Sequence, residues 1–227
     1  MVPDPDTTVG RLFARLGDWM PLAEFEQMLT GYFNGKRSAA ELADYRAKRG
    51  PAKKLRDEVV PVLHHIQFVR AKGEIRFALN SDVPDCWLRN DPVATPQGLE
   101  VTVAQSREQQ ILGQELNEKQ MGRGFLGLPD DAPATAFAGR LARPRVMYST
   151  DQALSVIGDG IKRCLIKKNH PKYTGFDLLI EAPLRSLPKE RWSRIEDDLR
   201  SAASAMPFRQ IHVVGNHDEA PFGFRIK

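Results

Sequence analysis

Val83-Pro84-Asp85-Cys86-Trp87-Leu88-Arg89, a turn-rich connection, then Leu99-Glu100-Val101-Thr102-Val103-Ala104-Gln105: this stretch decides how the 227-residue chain is read. In its second half Leu99, Val101 and Val103 fall on one side and Glu100 and Thr102 on the other, the two-residue period of a strand with one apolar face. The connection holds Asn90, Asp91, Pro92, Pro96, Gln97 and Gly98, residues that break regular structure and make turns. If the two segments pair, Asp85 and Glu100 meet at one end of a sheet. Neighbouring carboxylates raise each other's proton affinity, so such a pair needs a reason. A hard divalent cation, which takes one or two carboxylates plus substrate phosphates, is the commonest.

Working outward, residues 7–48 predict a small helical leader. Val9, Leu12, Phe13 and Leu16 keep helical spacing, as do Leu22, Phe25, Met28 and Leu29, and Pro21 suits a helix start. Ser38-Ala39-Ala40-Glu41 is a capping box opening a third helix. A helix over 51–69 carries Leu55, Val59, Leu63 and Ile66 on one stripe, with Glu58 beside it. The adjacent His64 and His65 face different directions on that helix. Glu74 to Leu79 alternates as a strand. Pro84 marks an edge, a strand start or a bulge, and bulges re-aim side chains near active sites.

Past Gln105, Ser106-Arg107-Glu108-Gln109 predicts a second capping box and a helix to about Met121, with Ile111, Leu112 and Leu116 inward. Residues 122–149 are rich in Gly and Pro and read as a long irregular segment, a kind often functional or mobile. Thr150 or Asp151 caps the next helix, with Leu154, Ile157, Ile161 and Leu165 inward and a basic latter half. Phe176 to Glu181 has the unbroken apolar centre of a strand covered on both faces. Pro188 opens a helix with Trp192, Ile195, Leu199 and Ala203 inward, and Ile211 to Val214 forms the last strand. The order is helix, three strands, two helices, strand, helix, strand: an α/β layered domain.

Composition bounds the function. With 41% hydrophobic and 27% charged residues, this is an ordinary globular balance. No apolar run approaches the ~20 residues of a bilayer span, so no membrane partner is expected. The acidic start lacks the basic-then-apolar pattern of a secretory signal. Cys86 and Cys164 give neither a disulfide framework nor metal spacing, so a reducing cytoplasm is expected. The net charge is +4. Residues 1–34 hold two basic side chains against five acidic ones, a balance of −3, which leaves +7 for the rest. A basic main body suits a polyanion such as nucleic acid. Arg140, Arg143 and Arg145, with Lys162, Arg163, Lys167 and Lys168, are the candidate phosphate contacts. Part of the latter run is explained by the helix dipole, which favours cations at a C-terminus.

The element order, with Pro84-Asp85 at one strand and Glu100-Val101-Thr102 on the next, resembles the restriction-endonuclease-like, PD-(D/E)XK nuclease superfamily. The resemblance covers roughly residues 51–181, with 188–214 as an extension. It implies a central mixed sheet flanked by helices (50–227), preceded by the helical leader (1–49). It also implies metal-assisted phosphodiester hydrolysis, with DNA favoured over RNA. Asp85 and Glu100 would bind Mg2+ or Mn2+, and Glu58 would match the extra helix carboxylate. The superfamily's lysine falls two residues after the second acid, where this chain has Thr102. A threonine supplies no positive charge to the attacked phosphate. Either Lys162 or a nearby lysine moves in, or Gln105 positions water, or catalysis is lost.

Two alternatives therefore stand beside a nuclease. One is a catalytically inactive nucleic-acid-binding module on the same fold. The other is a partner-binding scaffold, acting through residues 1–49 as a homodimer or with another protein. A separate block, Val214-Gly215-Asn216-His217-Asp218, looks like one from calcineurin-like metallophosphoesterases, as does Ile157-Gly158-Asp159-Gly160. That fold also needs an Asp-x-His and later histidines, which this chain lacks. A turn closing a strand is the better reading.

Overall fold

The computed structural model describes residues 8–80, 82–144, 146–218 and 220–227. Seven strands form one mixed sheet in sequence order. These are β1 (Met20–Pro21), β2 (Glu74–Phe77), β3 (Cys86–Arg89), β4 (Gln97–Val103), β5 (Asp177–Glu181), β6 (Ile211–Gly215) and β7 (Phe222–Arg225). Strands β1 to β4 run antiparallel, β4, β5 and β6 are parallel, and β7 returns antiparallel. β5 is the middle of the parallel trio, so both its faces are covered. Leu178 and Ile180 enter one apolar cluster and Leu179 the other.

The first cluster lies under α8 (Thr150–Lys168) and α9 (Ser193–Ala203), which bury Ile157, Ile161, Leu165 and Leu199 against Ile211 and Val213. The second lies under α1 (Thr8–Leu16), α2 (Leu22–Asn34) and α5 (Val60–Val69). There Leu12, Phe25, Leu29, Val62 and Ile66 pack on Ile75, Phe77, Cys86, Leu99 and Val101. The leader thus shares a core with the sheet, and β1 adds a strand to its edge beside β2. The Ser38–Glu41 capping box forms as read and opens α3 (Ala39–Ala47).

The helix over 50–69 is not uniform. α4 (Gly50–Lys54) passes through a π turn at Leu55–Val59 before α5 begins. Pro61 explains the widening: its ring crowds the carbonyl four residues back, at Asp57, and it has no N–H to give it. Val60 N–H instead reaches the Leu55 carbonyl, five residues back. π turns of this kind recur at functional sites, and this one carries Glu58.

Four readings of the middle segment change. The second capping box does not form at α6 (Ser106–Lys119), whose first amides are capped by Asp130, Ser106 N–H at 3.0 Å and Arg107 N–H at 3.1 Å. Its inward face is Glu108, Gly113 and Glu115, while Ile111 and Leu112 are only partly buried. Gly113 is required because a Cβ there would lie 1.8 Å from the Arg46 carbonyl oxygen of α3. The Glu108 carboxylate accepts Leu126 N–H at 2.9 Å and Leu128 N–H at 3.1 Å, fastening the segment that follows. That segment also contains α7 (Ala134–Leu141). The cap of α8 is Ser149, in a box with Gln152, not Thr150 or Asp151.

The strand read over Ile211 to Val214 extends to Gly215 and pairs with a further strand, β7. Gly215 stands there because a Cβ would meet the Ala182 carbonyl oxygen at 2.2 Å. Both cysteines are buried free thiols. No described helix is long and apolar enough to cross a membrane.

Candidate active site

The register of β3 against β4 pairs Cys86 with Leu99. One step further along, Asp85 stands opposite Glu100, and directly opposed residues share a face. Cys86 and Leu99 point into the cluster under α2 and α5, so Glu100 points to the other face, towards Lys168 at the end of α8. The Asp85 carboxylate accepts Val101 N–H at 2.8 Å, which holds it against β4. Glu100 is buried. Its Oε1 takes the Lys168 ammonium at 2.5 Å, and its Oε2 is buried without a hydrogen-bond partner. Glu58, on the π turn, is paired to Lys54 at 2.6 Å.

The three carboxyls feel one another. Burial, then the Glu58 charge, pushes the Asp85 carboxyl up to about 6, against the pull of Val101 N–H, Lys168 and Lys54. Burial, then Asp85, raises Glu100, and Lys168 opposes this. Burial raises Glu58 as well, opposed by Lys54. For Lys168, burial disfavours the charged form, but the hydrogen bond and charge of Glu100 outweigh it and leave its pKa raised.

Among the described residues no three carboxylate, imidazole or thiol side chains close into a ready-made metal cage. Magnesium rarely uses one; it takes one or two carboxylates and completes its shell with water and phosphate. Asp85 and Glu100, all-oxygen and adjacent, with the buried Glu100 Oε2 unsatisfied, fit that sparse donor set.

The remaining candidates are placed as follows. Thr102 faces α8 near the Cys164 thiol, and as a neutral hydroxyl it brings no charge to the acids. Lys162 is not the substitute cation: it pairs with Asp198 at 2.6 Å. It precedes Lys168 by six residues, which at ~100° per residue puts it on another face of α8. Lys168, the "nearby lysine", is the cation that reaches Glu100. Gln105 does not position water there. It is buried at the far end of β4, its Nε2 bound to the Val156 carbonyl at 2.9 Å. β4 ends at Val103, ~10 Å along the strand from Glu100, and Gln105 follows in the left-handed turn that opens α6.

Arg163 pairs with Asp131 at 3.1 Å, and Lys167 is exposed. Arg140 is half-buried at the end of α7, beside a cavity of about 390 Å³ that also touches Tyr148 and Asp151. Arg143 is exposed, and Arg145 lies outside the described residues.

A second polar centre went unread in the sequence. His64 Nδ1 lies 3.2 Å from Glu181 Oε1, at the end of β5. Nothing in the spacing of α5 and β5 announces that contact, which links residues 117 positions apart. His65 instead packs against His212, the rings tilted at 51° with centroids 4.8 Å apart.

Compared with known proteins, the chain matches no family model, and neither a curated protein nor a solved structure matches it.

Proposed function

We propose that the chain is a metal-dependent nuclease of restriction-endonuclease-like layering, hydrolysing phosphodiester bonds, with DNA favoured over RNA. The supporting observation is the cross-strand pair Asp85–Glu100 with Lys168 on one acid and Glu58 in the field of the other. Asp85 and Glu100 would hold a magnesium or manganese ion. The chemistry such an ion supplies is neutralisation of phosphate charge and a more acidic water.

The chain's own residues do the rest. The Val101 amide and the β3–β4 register fix Asp85, so no reorganisation is needed on binding. Lys168, donated by α8, stands in for the charge that Thr102 cannot give. Burial, and then the charge of Glu58, itself paired to Lys54 at 2.6 Å, keep the proton affinity of Asp85 high.

The test is cleavage of plasmid and oligonucleotide substrates with magnesium or manganese, against Asp85→Ala and Glu100→Ala. Cleavage that survives both substitutions ends the reading. The inactive-module alternative rests on Thr102. Calorimetric manganese titration separates the two, because an active site binds the ion through Asp85 and Glu100 and an inactive one does not.

A further inference from the structure

The acids are one row of a longer pattern on the same sheet face. Two residues along, Arg76 on β2 pairs in register with Trp87 on β3, and Trp87 with Gly98 on β4. Continuing the registers adds Trp19 at one end, beside Arg76, and Phe176 at the other, beside Gly98. Same-face rows are separated by two residues, about 7 Å. An aromatic and guanidinium strip therefore runs across β1 to β5 immediately beside Asp85 and Glu100. On the opposite face of these strands Met20, Ile75, Phe77 and Cys86 are fully buried, whereas Trp19, Arg76, Trp87 and Arg89 keep part of their surface in water.

The strip is a ladder of alternating rings and cations. Arg89 lies 4.1 Å from the Trp19 ring centre, Arg76 5.3 Å from Trp19 and 5.0 Å from Trp87. The two guanidiniums differ in one respect. Arg89 is neutralised by Glu74 at 2.7 Å. The Arg76 guanidinium makes no ion pair or hydrogen bond among the described residues, so its donors are held in place by two indoles and left for an acceptor. Gly98 keeps the row flat: a Cβ there would meet the Phe176 ring and Pro84 at 2.7 Å.

We propose that this strip is the track for an unpaired strand of nucleic acid, which lays a base on Trp87 and a phosphate on Arg76 and so delivers the adjacent phosphodiester to Asp85 and Glu100. The proposal rests on the nuclease reading and names its substrate class as single-stranded ends or flaps. Stacked bases with interleaved cations are how strands are held without sequence preference. A duplex, with its bases already stacked, has nothing to offer Trp87.

The test is binding without metal, so that no cleavage occurs. Fluorescence anisotropy compares a labelled oligothymidylate with a blunt duplex, for wild type, Trp87→Ala, Trp87→Phe and Arg76→Gln. The expected result is a preference for the single strand and quenching of tryptophan emission on binding. Trp87→Ala should weaken the single strand by about 5- to 100-fold, the range carried by one base stacked on an aromatic ring. Arg76→Gln should weaken it and lower the salt slope by about 0.7, the loss of one phosphate contact on a single strand. Trp87→Phe should keep most of the affinity and lose most of the quenching, which a merely structural ring would not do. Wild-type affinity in both Arg76→Gln and Trp87→Phe with quenching intact, or equal affinity for the duplex, overturns the proposal. A strip that fails while Asp85→Ala still abolishes cleavage leaves the nuclease reading standing. A strip that binds as expected while Asp85→Ala cleaves normally removes that reading instead.

Discussion

Replacing Asp85 by Asn should make the protein more stable and, if the proposed chemistry holds, inactive. Asn keeps an oxygen for Val101 N–H and removes the charge that burial and Glu58 oppose. In the unfolded chain the carboxyl has its usual value of 3.8; in the fold it stands at about 6. A raised acid favours the folded state while it is protonated. That contribution is complete below 3.8 and is lost as pH rises through about 6. At about pH 8 the ionised form therefore costs the fold about 3 kcal/mol, at ~1.4 kcal/mol per tenfold change. This is an upper figure, because Asp85 keeps part of its surface in water.

The Asn variant should accordingly gain about 1 kcal/mol at pH ~4.5 and up to ~3 kcal/mol at pH ~8. At ~2–4 °C per kcal/mol for a domain of this size, the higher figure is a rise in Tm of roughly 6–12 °C. Urea titrations in chelator at several pH values read it directly. A gain independent of pH, or a loss at pH ~8, would refute the crowded-carboxylate argument whatever the activity proves to be. Manganese should then stabilise the wild type and not the variant, since a ligand stabilises only the state that binds it.

Lys168→Met should act in the other direction at neutral pH. It leaves buried Glu100 with no partner on either oxygen, a loss on the order of 2–4 kcal/mol that shrinks on acidification, measured by the same titrations. If the proposed chemistry holds, cleavage should fall by at least ~100-fold, and Lys168→Arg should restore part of both. Gly113→Ala puts a methyl against the Arg46 carbonyl and should destabilise by about 3 kcal/mol or more despite the better helix propensity, seen as a lowered Tm. His65, pushed down to about 4 by burial and then by His212, makes the fold acid-sensitive. A lowered base contributes stability that is present above ~6.5 and lost as pH falls through about 4, about 3 kcal/mol in all. His65→Phe should flatten that part of the pH–stability curve.

What the sequence determined by itself was the set of elements and the two acids. Two-residue alternation in Leu99–Val103, the apolar centre of Leu178–Ile180 and the 3.6-residue stripes of α2, α5 and α8 are local patterns. Each buries one face or two regardless of the rest, so the α/β order was legible, and so was the pairing of Asp85 with Glu100 across a short connection.

Tertiary structure decided the partners. Which lysine reaches Glu100 depends on where α8 ends over the sheet, 68 positions away in the chain. Spacing pointed equally to Lys162, which α9 captures through Asp198. Gln105 read as a catalytic polar group and Glu108 as part of a capping box because their true partners lie on segments brought near only by folding. The row of Trp19, Arg76, Trp87 and Phe176 comes from the adjacent strands β2 and β3 and from residues just before β1 and β5. Only strand register, set by the burial of Met20, Ile75, Cys86 and Leu99 on the opposite face, lines them up beside the acids.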